Sequence, residues 1–238
     1  MLLQEWLEEL RENVLRDVSD VLGSSSVELW SDATLVRYLD EGYKKFCKGT
    51  LLLRDSTTPA VTQITLASGT DTYPLHKSVL SVISARLDGN AYDLRKTTHD
   101  ALAGSVDNSV SSGAVFAAAG AQEPVKFTAD EANRILRVSP NVGEAFDGRV
   151  LHLRVARMPL KPLTTDDLDV EPEVPDDYHL DIVEWGAYRA LRNHDTDAEG
   201  TAKASAHKRR FEEAVKEAQV ASRRSLFAPV EFVFNSRW

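Results

Sequence analysis

The fold turns on residues 62–95, "TQITLASGTDTYPLHKSVLSVISARLDGNAYDLR". The stretch is rich in Val, Ile, Thr and Tyr, which suit a pleated surface. Asp88-Gly89-Asn90 lies between two short extended segments, and Asp-Gly supplies the positive φ angles of a tight hairpin turn. Both flanks of this region are helical. Upstream, Leu3, Leu7, Leu10, Val14, Val18 and Val21 recur at spacings of three and four, one face of a helix over the first 22 residues. Gly23 and the serines at 24 to 26 end it. Ser31 is the expected N-cap of a second helix running to Thr50, with Leu35, Leu39, Tyr43, Phe46 and Cys47 inward.

Downstream, "RILRVSP" (134–140) and "GRVLHLRVARMP" (148–159) read as strands, with Asp147-Gly148 as another turn. Leu151, Leu153 and Val155 alternate with His152, Arg154 and Ala156, the pattern of a half-buried strand. Residues 103–124 are mostly small and read as a long surface loop or a β-excursion toward a partner. Residues 159–177 hold four prolines and seven acids and read as a linker. Helical spacing then returns over 178–195, with Tyr178, Ile182, Val183, Trp185, Tyr188 and Leu191 inward. A charged helix follows over about 201–223, with Phe211, Val215 and Ala218 inward.

The expected class is α+β: a helical bundle of N- and C-terminal helices with a β-rich insertion and an extended C-terminal tail. The divisions fall at 1–58, 59–160, 161–177, 178–224 and 225–238. In the last segment, "SLFAPVEFVFNSRW", Pro229 discourages further helix. If extended, it places Phe232 and Phe234 on one face, suited to a sheet edge or a groove on another subunit.

At 238 residues the chain makes one large domain or two small ones. A net charge of -9 argues against a general nucleic-acid binder. The single cysteine, Cys47, excludes an internal disulfide and a cysteine-based zinc site. Nothing approaches the ~18 uninterrupted apolar residues of a membrane helix. The start, "MLLQEWLEELRENVL", lacks the basic-then-apolar order of a secretion signal. The expectation is a soluble protein made in the cytoplasm.

The six histidines include no pair at i, i+4 with a Glu between. Asp176, Asp177, His179 and Asp181 form the densest local set and read as helix-start capping and solvation, ahead of a metal site. "DTDAEG" (195–200) imitates half of a calcium loop, but the position needing a bidentate Glu is Ala206. No phosphate-cradling loop and no nucleophile elbow are present. The expectation is a non-enzyme with no catalytic residue, cofactor or metal. The strongest positive charge is Lys203, Lys208, Arg209 and Arg210, with Arg223 and Arg224. Glu212, Glu213 and Glu217 alternate with it, so a solvated, salt-bridged helix is favoured over one facing an acidic partner or DNA phosphate.

Three motifs in order resemble the head-to-tail adaptor proteins of tailed bacteriophages. "ELWSDATLVRYLDEGYKKFCKGT" is similar to their early helix through Trp30, Ser31, Asp32, Leu35, Tyr38 and Leu39, with Gly42 where the family often has Ala. "TYPLHKSVLSVISARLDGNAYDL" resembles their strand pattern through Tyr73, Leu75 and the Asp88-Gly89 turn. "VPDDYHLDIVEWGAYRALRNHDTD" resembles a later helix opening through Pro175, Tyr178, His179, Val183, Trp185, Ala187, Tyr188 and Arg189. The resemblance implies a non-catalytic virion protein of the neck. It implies a ring, usually dodecameric, under the portal that extends the DNA channel and docks a tail or nozzle protein, without membrane contact. A C-terminal segment packs on the portal in some relatives, which makes Leu226, Phe227, Pro229, Phe232, Phe234 and Trp238 the expected portal contacts. The alternatives are another neck or tail-completion protein, and a DNA-packaging accessory acting through the basic helix.

Overall fold

The computed structural model describes residues 1–17, 29–98, 123–194 and 198–226. The fold is α+β, in two compact units: residues 1–52 with the chain from Lys161 onward, and residues 53–160.

The first unit is helical. α1 (Leu3–Glu8) runs directly into a π-helical stretch, Glu9–Leu15. The helix stops there and not near residue 22, because Arg16 turns left-handed at φ 55°. Charge pairing explains the stop. Arg11 donates to Asp17 Oδ2 (3.1 Å), to Asp32 Oδ1 (2.5 Å from Nη2) and to the Trp30 carbonyl (2.8 Å). Asp17 in turn accepts from the amides of Leu29 (2.9 Å) and Trp30 (3.3 Å). The residue after the helix is thereby held against the start of the next one. Val18 and Val21 lie outside the described residues.

α2 (Asp32–Thr50) is capped by Ser31, whose side chain accepts from the Thr34 amide, and it ends at a left-handed Leu51. Its expected inner face, from Leu35 to Cys47, is buried. α3 is one short turn, Pro59–Thr62, in the other unit. α4 (His179–His194) and α5 (Ala198–Leu226) complete the helical unit. Within α4, Ile182, Val183, Trp185 and Tyr188 are buried, while Tyr178 just before it and Leu191 are half-buried. α5 keeps Ser225 and Leu226 helical, where an extended tail was expected. No helix breaker stands before Pro229.

Residues 161–177, expected as a linker, form a strap bonded to the helices. The carbonyls of Val170 and Leu168 accept from the amides of Leu3 (3.1 Å) and Gln4 (2.9 Å), satisfying donors that a helix start leaves without partners. The Leu163 amide donates to Asp40 Oδ1 (3.1 Å) and the Glu173 amide to Tyr43 Oη (2.7 Å). Leu163 and Val174, both of the strap, are buried.

The second unit holds two sheets. In the first, β8 (Val150–Arg157) is flanked by β4 (Val79–Leu87) on one side. β1 (Arg54–Asp55) and β2 (Gln63–Thr65) share its other edge, and all pairs are antiparallel. Leu151, Leu153 and Val155 lie opposite Leu87, Ala85 and Val82, so one face is continuously apolar. Ala156 departs from the alternation and is buried, flanked there by both Arg54 and Ser81. The second sheet runs β3 (Thr72–Pro74), β7 (Ile135–Ser139), β6 (Lys126–Asp130), β5 (Arg95–Lys96).

The turn at Asp88-Gly89 forms, with Gly89 at φ 81°, but it does not close the expected hairpin. After one bond from the Leu94 amide to Ala85 the chain leaves β4. The amides of Arg95 and Thr97 go instead to the carbonyls of Val125 and Phe127, which makes β5 a parallel neighbour of β6. Gly148 likewise turns at φ 75°, yet β7 and β8 lie in different sheets, joined through a 3-10 turn at Glu144–Phe146. Of the small-residue stretch 103–124, only Glu123 and Pro124 are among the described residues.

Candidate docking groove

Close packing of α2 against α4 and α5 builds a groove on the helical unit. A Cβ at Gly42 would stand 2.9 Å from Trp185 Cβ, and one at Gly49 would stand 2.8 Å from Val215 Cγ1. Only glycine permits both approaches without a shift. They bring Trp185 beside Tyr188 (5.1 Å between ring centroids) and Phe211 (5.0 Å). These rings floor a concavity of about 680 Å³.

Its rim is cationic. Lys45 and Lys48 come from α2, Arg189 and Arg192 from α4, and Lys208 and Lys216 from α5, against two carboxylates, Glu41 and Glu212. Arg189 pairs with Glu41 (3.0 Å) and Lys208 with Glu212 (3.5 Å). Lys45 Nζ lies 4.4 Å from the Trp185 ring centroid, a cation–π geometry, and Arg192 donates to Tyr188 Oη. Lys45, Lys48, Arg192 and Lys216 have no carboxylate partner among the described residues. A chain with a net charge of -9 therefore carries a local excess of positive charge over an aromatic floor.

Of the six basic residues singled out from sequence, one, Lys208, reaches this groove. Arg209 lies 3.9 Å from Glu213. Arg210 joins His207 on Glu184, at 3.3 Å and 2.5 Å, tying α5 to α4. Burial alone would push the Glu184 carboxyl up; His207 and Arg210 outweigh it and hold the carboxyl below its usual range. Lys203 is exposed near the start of α5, and Arg223 and Arg224 are exposed in its last turn. At 1.5 Å per residue those ends are roughly 30 Å apart, so the six form no single patch. The sequence signal that was missed is the i, i+3 pairing of Lys45 with Lys48 on α2 and of Arg189 with Arg192 on α4, the latter two each four residues after a floor ring, Trp185 and Tyr188. Leu226 ends α5, and Phe227, Pro229, Phe232, Phe234 and Trp238 lie outside the described residues.

The acidic helix start differs from expectation at one residue. His179 is not solvated but wholly buried, 4.8 Å from the Trp6 ring. Its Nε2 is 2.7 Å from the Val174 carbonyl, which can only accept, so Nε2 carries the proton. Burial lowers the His179 pKa, outweighing the Asp176 carboxylate 3.2 Å from Nδ1. Among the described residues no group of three or more His, Cys, Asp or Glu side chains could hold a metal ion, and no helix is long and apolar enough to cross a membrane. Residues 195–197 of the calcium-like stretch lie outside the described residues. In the second unit, Arg86, His152 and Arg154 line a polar depression of about 450 Å³ on the solvent side of the first sheet.

The α+β chain thus combines an aromatic-floored groove with the three adaptor-like motifs. Residues 7–231 match the family model described as SU10 adaptor protein, and the chain belongs to that family. No curated protein matches it.

Proposed function

We propose that this chain is a head-to-tail adaptor that assembles as a ring between portal and tail or nozzle and extends the DNA channel. The supporting observation is the family match, which spans both units from residue 7 to residue 231. On this proposal the helical units lie side by side in a closed ring, where two different patches meet around a circle. Twelve copies is the count that the adaptor resemblance suggests. The acidic balance suits a conduit, since carboxylates toward the channel keep passing DNA from adhering. The protein resides in the virion neck, and its C-terminal segment 225–238, through Leu226, Phe227, Pro229, Phe232, Phe234 and Trp238, anchors it to the portal.

The test mixes the full chain with assembled portal and measures native mass and particle outline. The expected result is one added ring on the portal, with no change to free tail components. A chain that adds to tail components and never to portal would identify a tail-completion protein instead.

A further inference from the structure

We infer that the cation-rimmed groove receives the acidic strap of a second copy of this chain. This rests on the ring proposal and names the surfaces that would meet within it. The strap presents Asp166, Asp167, Asp169 and Glu171 to solvent. Asp166, Asp167 and Asp169 have no ion-pair partner among the described residues. Their backbone is already fixed, because Leu168 and Val170 accept from Gln4 and Leu3 and because Glu173 donates to Tyr43. The acids form a preorganised ridge, so docking costs little ordering entropy. Facing them, Lys45, Lys48, Arg192 and Lys216 are the groove cations without a carboxylate. The charges complement each other in sign and in number.

A strap cannot fill the groove of its own chain. Tyr43, which holds the strap, and Lys45, which lines the groove, are two residues apart on α2, roughly 200° around the helix. The two surfaces therefore face different ways from one helical unit. A contact between different patches of identical chains is head-to-tail, and it closes a ring when the rotation allows. The groove also suits an acidic peptide better than duplex DNA. At about 680 Å³ it holds a few residues, and its aromatic floor can take an apolar side chain such as Leu168, which is half-buried in the strap.

The test uses charge reversal in the full chain, with native mass read for the chain alone and with portal. One variant carries Lys45→Glu, Lys48→Glu and Lys216→Glu; the other carries Asp166→Lys, Asp167→Lys and Asp169→Lys. Circular dichroism and melting check that each folds. Each variant alone should self-associate at least about tenfold more weakly than the natural chain, because like charges then meet. Mixed in equal amounts, they should regain rings of alternating composition, since each groove then meets a strap of opposite sign. Association of the natural chain should also weaken as salt rises. Rings formed by the groove variant alone overturn this inference and leave the ring proposal standing. Failure of the mixture to recover overturns it too, because the groove occupant is then another segment, such as 227–238, or another partner. A natural chain that forms no ring with or without portal overturns both.

Discussion

At position 42 a hydrogen atom is all that separates α2 from the side chain of Trp185. Alanine there would gain helix propensity, ~1 kcal/mol. Its Cβ would also sit 2.9 Å from the Trp185 Cβ, which is too stiffly placed to swing aside. Overpacking of this kind costs about 1–3 kcal/mol, so Gly42→Ala should lower stability on balance, measured by urea unfolding. A stabilised variant would show that α2 and α4 separate freely. A second residue-scale prediction concerns Asp55. Burial would push its carboxyl up, but the amides of Thr57 and Thr58 and the Arg157 guanidinium at 2.7 Å outweigh burial and hold it far below the usual range. In the unfolded chain an aspartate takes its proton near pH ~4. The stabilisation is therefore complete above that pH and drains away as pH falls below it. Asp55→Asn should cost on the order of 1–3 kcal/mol at neutral pH by removing a charge-assisted bond from the half-buried Arg157, which keeps its bond to the Met158 carbonyl, and the variant should lose less further stability on acidification than the natural chain.

At the scale of elements, the strap carries a direct prediction. Tyr43→Phe removes the acceptor of the Glu173 amide but keeps the ring that packs edge-on to Trp6. Stability should fall by about 1 kcal/mol, and hydrogen exchange should quicken at Glu173 while the α2 amides stay protected. Equal exchange at Glu173 in both proteins would mean that this bond does not hold the strap. The strap also marks where the sequence was hard to read. Prolines and acids signal the absence of helix or strand, and they do so correctly. They say nothing of backbone bonds to Leu3, Gln4, Asp40 and Tyr43, which depend on partners more than a hundred residues away. The same limit explains the turns at Gly89 and Gly148. Local residues set the left-handed turn, but which strand pairs next is decided across the sheet, and there β5 chose β6. α2 was fully legible, since its cap, its period and its end are all local. The first helix was not, because a distant charge network through Arg11, Asp17 and Asp32 ends it early. In the groove, the aromatic floor was legible as buried faces of α4 and α5, whereas its rim draws on three helices at once.

For the whole molecule, removal of residues 227–238 should leave the melting temperature nearly unchanged and weaken portal attachment at least tenfold, or ~1.4 kcal/mol. Normal portal binding by the shortened chain would assign attachment to another surface. The charge balance makes a separate claim. With a net charge of -9 and Arg209 and Arg210 already close to carboxylates, the free protein should not retard duplex DNA even at low salt. Retardation that fades steeply with salt would favour the packaging-accessory alternative. The division of the chain has a consequence for its synthesis. The helical unit is written in two pieces, before residue 53 and after residue 160. At ribosomal speed, the strap and α4 follow α2 by roughly 5–20 s, during which the apolar face of α2 waits uncovered while the sheet unit between can already close. All four tryptophans, Trp6, Trp30, Trp185 and Trp238, fall outside that middle unit. Indole emission during refolding therefore comes from no residue of the sheets; Trp6 follows both its own N-terminal piece, through Tyr43, and the arrival of the later one, through His179.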